Sequence, residues 1–298
     1  MQRERIARAS GRKIVLGGRL AVFICAVLWS TSGLFIKLVD AHPFIIAGLR
    51  SLIAAITMIT LRSLFMRRPF RGIKAAARTP AFWTAAAAYS ATMVTFVVAN
   101  KLTASANVIL LQYSAPVWAA LLGIPLIKEK PRVENLVCLA FVICGLIIIF
   151  YGSLAAGSIV GDIISLVSGI LLALNSVCMR MQKNAEPAYS MALSHIMTAA
   201  VAIPFFFIAA SPITAPMAGA IFFMGTVQVG LASILFAYGM KRVNALSAMI
   251  IACIEPVLNP VWVFVVTGEK PALNVIAGGA VIILAVAVSA RPRQAASQ

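Results

Sequence analysis

The chain reads as an all-α polytopic membrane protein, with ten transmembrane helices arranged as two inverted five-helix repeats around a central cavity. Three observations predict this. Of the 298 residues 62% are hydrophobic and only 11% charged, with a mean hydropathy of +1.00, whereas a soluble domain is nearer half apolar and a quarter charged. Apolar runs of about 20 residues, the length a helix needs to cross roughly 30 Å of hydrocarbon, recur along nearly the whole chain. The second half repeats the order of the first at a near-constant offset.

The runs place helices at approximately 18 to 38, 44 to 65, 80 to 100, 104 to 126, 133 to 151, 161 to 181, 188 to 209, 217 to 240, 245 to 267 and 272 to 290. Period-2 alternation of the kind a membrane barrel shows is absent, so these are helices. Span one follows a basic segment, residues 1–17. It is too long for a cleavable leader and is followed at once by more membrane, so it is expected to stay as an anchor. Spans one to five form a first unit (18–151) and spans six to ten a second (161–290), leaving a short tail at 291–298.

The net charge of +17 is a matter of topology and not of nucleic acid. With the N-terminus inside, 21 of the 25 Lys and Arg residues fall in the inside connections, among them Arg62 to Arg78, Lys128 to Arg132, Arg180, Lys183, Lys241 and Arg242. The opposite side receives Lys37, Lys101 and Lys270, and Arg50 lies within span two. This bias predicts both termini in the cytoplasm. The five cysteines all fall in apolar spans without a CxxC pair and are read as small buried hydrophobes.

A shift of 140 residues lays "KLTASANVILLQYSAPVWAALLGIPLIKEKP", from Lys101, over "KRVNALSAMIIACIEPVLNPVWVFVVTGEKP", from Lys241. Lys101, Pro116, Val117, Glu129, Lys130 and Pro131 then meet Lys241, Pro256, Val257, Glu269, Lys270 and Pro271. Upstream, "WSTSGLFIK" (29–37) lies over "LALNSVCMR" (172–180), and Pro43 precedes Pro187 by 144. Because five is odd, the halves cross the bilayer in opposite senses. Inverted repeats are the mark of secondary transporters, in which a site between the repeats opens to each side in turn.

This order of elements resembles the drug/metabolite transporter superfamily, in its ten-helix EamA-like exporter branch. The resemblance covers residues 20–290 and rests on the doubled unit, Arg50 in span two, Gly161 and Asp162 opening span six, the Pro116 element and the E-P-V of Glu255 to Val257. Within the branch the chain is similar to bacterial amino acid exporters, those for aromatic amino acids among them. The resemblance implies export of small metabolites, amino acid-like in the first instance, across a bacterial inner membrane by alternating access. It implies a small-molecule substrate and the lipid bilayer as partners, with no cofactor, no nucleic acid and no enzymatic activity. Monomer and homodimer are both left open.

Composition separates the helices that line a pathway from those that do not. Spans five and ten carry nothing more polar than cysteine over 136–150 and 275–288, so they are expected to face lipid or a partner subunit, with Gly145, Gly278 and Gly279 allowing close contact. Polar faces appear elsewhere. Tyr89, Met93, Phe96 and Asn100 stack on one face of span three, and Gln228, Leu235 and Tyr238 on span eight. Ser165, Ser168 and Asn175 mark span six, Trp29, Ser32 and Gly33 span one, and Asn107, Gln112 and Tyr113 span four. One such residue alone is adequately explained by an interhelical hydrogen bond worth about 0.6 kcal/mol. Five helices with polar faces point to a shared cavity, because lipid would penalise each face. The candidate substrate-binding set is Trp29, Ser32, Tyr89, Met93, Asn107, Gln112, Tyr113, Asn175, Gln228, Tyr238, Glu255 and Asn259, with Pro116, Pro256 and Pro260 as hinges. The aromatic and amide character suits zwitterions with apolar side chains.

Glu255 is the sharpest feature. It lies roughly 15 Å into span nine at 1.5 Å per residue, where a charge costs on the order of 2.5 to 3.5 kcal/mol. Pro256 removes a backbone donor beside it and Pro260 does so again one turn on. Three readings stay open: Glu255 binds a substrate amine or carries a coupling proton, it pairs with Arg50, or it is a hydrogen-bonded neutral acid. Arg50 could snorkel, clamp a carboxylate or partner Glu255, with a structural role preferred. Asp162 is read as the N-terminal cap of span six. His42 and His195 are isolated and supply no metal ligand set.

Other classes fit less well. "GSLAAGSI" (152–159) has the two glycines of a phosphate loop but Ser158 where lysine belongs, which argues against an ATP-driven pump. A membrane-embedded enzyme would need a second deep acid or a serine with its base. A sensor or scaffold leaves the doubled architecture without a purpose.

Overall fold

The computed structural model describes residues 2–65, 70–151, 158–209, 212–267 and 272–289. The basic N-terminal side chains, the loop at 152–157, the second EKP element (Glu269, Lys270, Pro271) and the tail at 291–298 lie outside the described residues or side chains. Among the described residues nine helices are long and apolar enough to cross a membrane: α1 (Ile14–Ile36), α2 (Pro43–Phe65), α3 (Pro80–Leu102), α4 (Asn107–Ile127), α5 (Val133–Phe150), α6 (Ile159–Met181), α7 (Ala188–Ile208), α8 (Ala215–Met240) and α9 (Ala245–Val266). The tenth apolar helix, α10 (Leu273–Ser289), is shorter at 17 residues. The expected ten is therefore nine full spans and one short one among the described residues.

Side-chain contacts fix the direction of each half. At one face Lys101, ending α3, donates to the Val39 carbonyl just beyond α1 at 2.9 Å, and Thr103 donates to Asp162, opening α6, at 2.9 Å. At the other face Arg180, ending α6, meets Glu129 between α4 and α5 at 2.8 Å and the carbonyls of Met240 and Lys241 ending α8. There too Glu186, before α7, draws Arg62 from the end of α2 (3.7 Å) and Lys241 (3.4 Å). Gly18, near the start of α1, lies against Arg242 at this same face. So α1 ends where α6 begins, and begins where α6 ends. The halves are inverted.

The packing carries the matching pseudo-two-fold symmetry. Exchanging the halves turns the α3–α6 contact into α8–α1, α2–α8 into α7–α3, and α4–α6 into α9–α1, and every one of these is formed. The pairs α2–α7, α4–α9 and α5–α10 map onto themselves and are formed as well.

Helices α5 and α10 depart from their expected neighbours. Their glycines serve each other within one chain: a Cβ on Gly278 would lie 2.4 Å from the Gly145 carbonyl oxygen, and one on Gly145 would lie 2.8 Å from that of Gly278. Asn274 of α10 ties the pair by donating to the carbonyls of Ile148, Ile149 and Tyr151. Only the outer faces, with Phe141, Ile147 and Leu284 exposed, are left for lipid. Four cysteines are buried as expected, whereas Cys144 is exposed on the outer face of α5.

Candidate functional site

Two breaks at equivalent points of the repeat build the site. Helix α4 runs as Ser105–Gln112 and resumes as Ala115–Ile127, and α9 runs as Ala245–Ala252 and resumes as Glu255–Thr267. Pro116 and Pro256 each sit second in the resumed segment, where a missing N–H costs nothing because the first-turn amides have no intrahelical acceptor. The break turns Glu255 into the first residue of a helix. Its carboxylate complements the positive end of that helix dipole and accepts a hydrogen bond from the Tyr113 hydroxyl at the other break. Both residues are 5% exposed. These two interactions offset the cost of burying the acid, and the hydrogen bond joins one half of the chain to the other.

Two further irregularities shape the same region. Helix α1 is interrupted between Trp29 and Ser32, where the hydroxyls of Ser30 and Thr31 bond back to the carbonyls of Val27 (2.6 Å) and Leu28 (2.9 Å), the local competition by which such residues loosen a helix. Trp262 of α9 donates to Ser30 at 2.7 Å and pins the interruption. In α8, Met224–Leu231 is wound as a π-helix, a rare form found disproportionately at functional sites.

The irregular segments surround a narrow cavity of about 40 Å³. Eight of the residues expected at the site line it: Trp29 and Ser32 from α1, Tyr89 and Met93 from α3, Gln112 and Tyr113 from α4, Gln228 from α8 and Glu255 from α9. Gln112 is oriented by donating to Ser168 of α6 at 2.8 Å, and the Gln228 amide reaches the Trp29 carbonyl at 3.5 Å. The Tyr89 ring stands edge-on to His195, whose Nε2 is 2.9 Å from Ser233 Oγ.

Arg50 joins this wall. It forms no ion pair with Glu255. Its Nη2 reaches the Met93 carbonyl at 3.3 Å and the Met93 sulfur at 3.7 Å, and its Nε, buried, has no acceptor. Both the ion-pair reading and the snorkelling reading are thereby overturned, since the side chain is 1% exposed and turned inward. Thr92, Leu172 and Val229 also line the cavity. A Thr on the same stripe as Tyr89 and Phe96 was a signal available in the sequence; Leu172 and Val229 carry no such mark.

Four expected residues sit elsewhere. Asn107 donates to Asp162 at 3.2 Å near the ends of α4 and α6. Asn175 donates to the Ala85 carbonyl at 3.0 Å and holds α6 against α3. Tyr238 is exposed and lies beneath the Arg242 guanidinium, 3.4 Å from its ring centre. Asn259 lies against Gly33 of α1. The cap of α6 is Ser158, whose hydroxyl accepts from the Gly161 amide, while Asp162 bonds across to Thr103 and Asn107. Pro260 lies inside the resumed segment of α9. Among the described residues no group of three His, Cys, Asp or Glu could hold a metal.

Comparison with known proteins then decides the family. The profile of the EamA-like transporter family matches twice, at residues 16–151 and 159–291. The chain belongs to the EamA-like transporter family. A protein of Archaeoglobus fulgidus described as an uncharacterized transporter is 26% identical over 283 residues, covering 92% of this chain and 96% of its own. A crystal structure at 19% identity superposes with a TM-score of 0.75 over 91% of this chain and 97% of its own, which is a likeness of fold. The EamA-like chain is thus a multi-pass membrane transporter of a small-molecule substrate, built from two repeats.

Proposed function

We propose that this transporter exports amino acids, aromatic or otherwise apolar in side chain, across a bacterial inner membrane by alternating access. One observation carries the reading: a cavity at the junction of the inverted halves, walled by aromatic rings and amides, with an acid and a base on its surface. Trp29, Tyr89 and Tyr113 offer flat apolar faces to a side chain. Gln112, Gln228 and Glu255 offer hydrogen bonds to a polar head. At about 40 Å³ the cavity is nearly closed, so a substrate is admitted only as the halves move apart.

The positive-inside bias supports placing the face of Arg180, Glu129 and Lys241 in the cytoplasm. At that face Arg180 closes the passage by joining the loop after α4 to the end of α8. Rocking the halves about the breaks beside Pro116 and Pro256 exchanges this closure for one at the opposite face. Counterflow of labelled phenylalanine, leucine and glycine in proteoliposomes of the purified protein tests the proposal, since exchange there needs no partner and no energy source. Uptake that favours the two apolar amino acids is expected. No exchange of any of the three refutes an amino acid substrate.

A further inference from the structure

We infer that Arg50 is the receptor for a carboxylate on the substrate, so that the transported molecule carries a planar anion at one end. The inference rests on the reading of the cavity as the transport site and names which chemical group that site requires. Arg50 is a fully buried guanidinium, 1% exposed, in a membrane-spanning helix. A guanidinium has five N–H donors in a rigid fork. Here Nη2 alone finds acceptors among the described residues, a carbonyl at 3.3 Å and a thioether at 3.7 Å, both from Met93. Nε is buried and unpartnered, and among the described residues no carboxylate is paired with the side chain. A buried cation without its anion is strongly unfavourable, and a fold retains one where the anion arrives from outside.

The neighbours say which anion. On the same wall Gln228 Oε1 is buried without a donor, and Glu255 across the cavity accepts only from Tyr113 among the described residues. The cavity therefore presents a fork of donors at one place and acceptors at others. A zwitterion leaves it electrically balanced, its carboxylate on Arg50 and its ammonium toward Glu255 and Gln228. A doubly charged phosphate has one guanidinium to meet and would sit in a cavity that also holds a carboxylate. Bidentate geometry matches a carboxylate in plane and in spacing.

The test uses paired ligands that differ only in the carboxylate. Phenylalanine against phenylalaninamide, and 3-phenylpropionate against 3-phenylpropionamide, are compared with inorganic phosphate as competitors of labelled exchange and as agents that raise the unfolding temperature of the purified full-length protein. Each acid is expected to act at concentrations about tenfold or more below its amide. In Arg50→Lys the preference should fall to within about threefold, because an ammonium keeps the charge and loses the fork. Arg50→Gln should abolish it. Equal potency of acid and amide in the wild-type protein overturns the inference without any variant, so a misfolded Arg50 variant leaves it decidable. Phosphate outcompeting both acids overturns it too. Preference for 3-phenylpropionate over its amide without any action of phenylalanine sustains the Arg50 assignment and sinks the amino acid reading. Transport of phenylalanine and its amide alike does the reverse.

Discussion

If the cavity is the transport site as proposed, Tyr113 contributes to binding through Glu255, and Tyr113→Phe isolates that contribution. The substitution removes one oxygen and leaves the ring in place. Both partners are 5% exposed, so water does not readily replace the lost donor. A hydrogen bond to a charged group is worth about 1.5 to 3 kcal/mol, and a neutral one about 0.5 to 1.5. Removing the hydroxyl should therefore raise the half-saturating substrate concentration in counterflow by about ten- to a hundredfold. The decisive form is a double-mutant cycle with Glu255→Gln, each protein normalised to its abundance in the membrane. With a neutral amide in place of the acid, the further cost of Tyr113→Phe should shrink to under about 1 kcal/mol, leaving a coupling of about 1 kcal/mol or more. Losses that add to within about 0.5 kcal/mol would refute the claim that the two act as a unit. Full activity of Glu255→Gln at normal abundance would remove the acid from the mechanism altogether.

Other consequences are as direct. Arg180→Ala removes the ion pair to Glu129 and two carbonyl contacts, so a cysteine placed at Leu246, buried on the pocket that Glu129 and Arg180 also line, should react several-fold faster with a water-soluble maleimide; an unchanged rate contradicts a closing role. Gly278→Val drives a side chain into the Gly145 carbonyl and should cost about 1 to 3 kcal/mol or more, seen as a lower unfolding temperature. Gly219→Val, which meets nothing within 4 Å, is the matched control, and equal loss in both would refute the packing argument. Tyr238→Ala should leave the preference for bulky over small substrates intact, whereas Tyr89→Ala should weaken it. Counterflow of phenylalanine against alanine reads both.

How much of this was legible beforehand follows from what kind of information each feature is. The spans, the doubling and the inversion are written along the chain as hydropathy, offset and charge bias, and nothing across space is needed to read them. The stripe of Tyr89, Met93 and Phe96 was legible for the same reason, since helical spacing puts them on one face whatever that face meets. Asn175 and Tyr238 fitted the same rule and failed it. A polar face can point at another helix's carbonyl or at the membrane surface, and period alone does not say which. The Ser30–Thr31 interruption had a local cause in two hydroxyls that bond to the preceding turn. The π-turn at Met224–Leu231 has none in its own residues beyond Gly225 and Gly230; both glycines abut α2, where a Cβ would meet Ile53 or Thr57. Arg50 and Glu255 are both legible as costly, and an ion pair between them is one of the three readings the sequence leaves open. That reading fails because each has a different neighbour, Met93 and Tyr113, and neighbours are decided by how the halves dock.

That docking bears on how a substrate could drive the proposed rocking. The scaffold is symmetric but its charges are not: Glu255 falls opposite Ala115 at the offset of 140, and Arg50 falls opposite Ser194 at the offset of 144. The closures at the two faces are modest on both sides. At one, the Arg180–Glu129 pair is partly solvated, with side chains 16% and 30% exposed, which holds an ion pair to about 1 kcal/mol or less. At the other, Thr103 and Asn107 hold Asp162. Taking a two-state equilibrium from 1:99 to 99:1 needs about 5.5 kcal/mol of differential binding, and closures of this size leave the balance within reach of it. Only a ligand that binds the two states unequally can supply that difference. A zwitterion whose carboxylate rests on Arg50 and whose ammonium rests near Glu255 touches the first half with one end and the second with the other. Any rotation of one half against the other changes the distance between Arg50 and Glu255, so the binding energy of a ligand held by both varies along the transport coordinate itself, and a ligand lacking either charge loses that part of the variation.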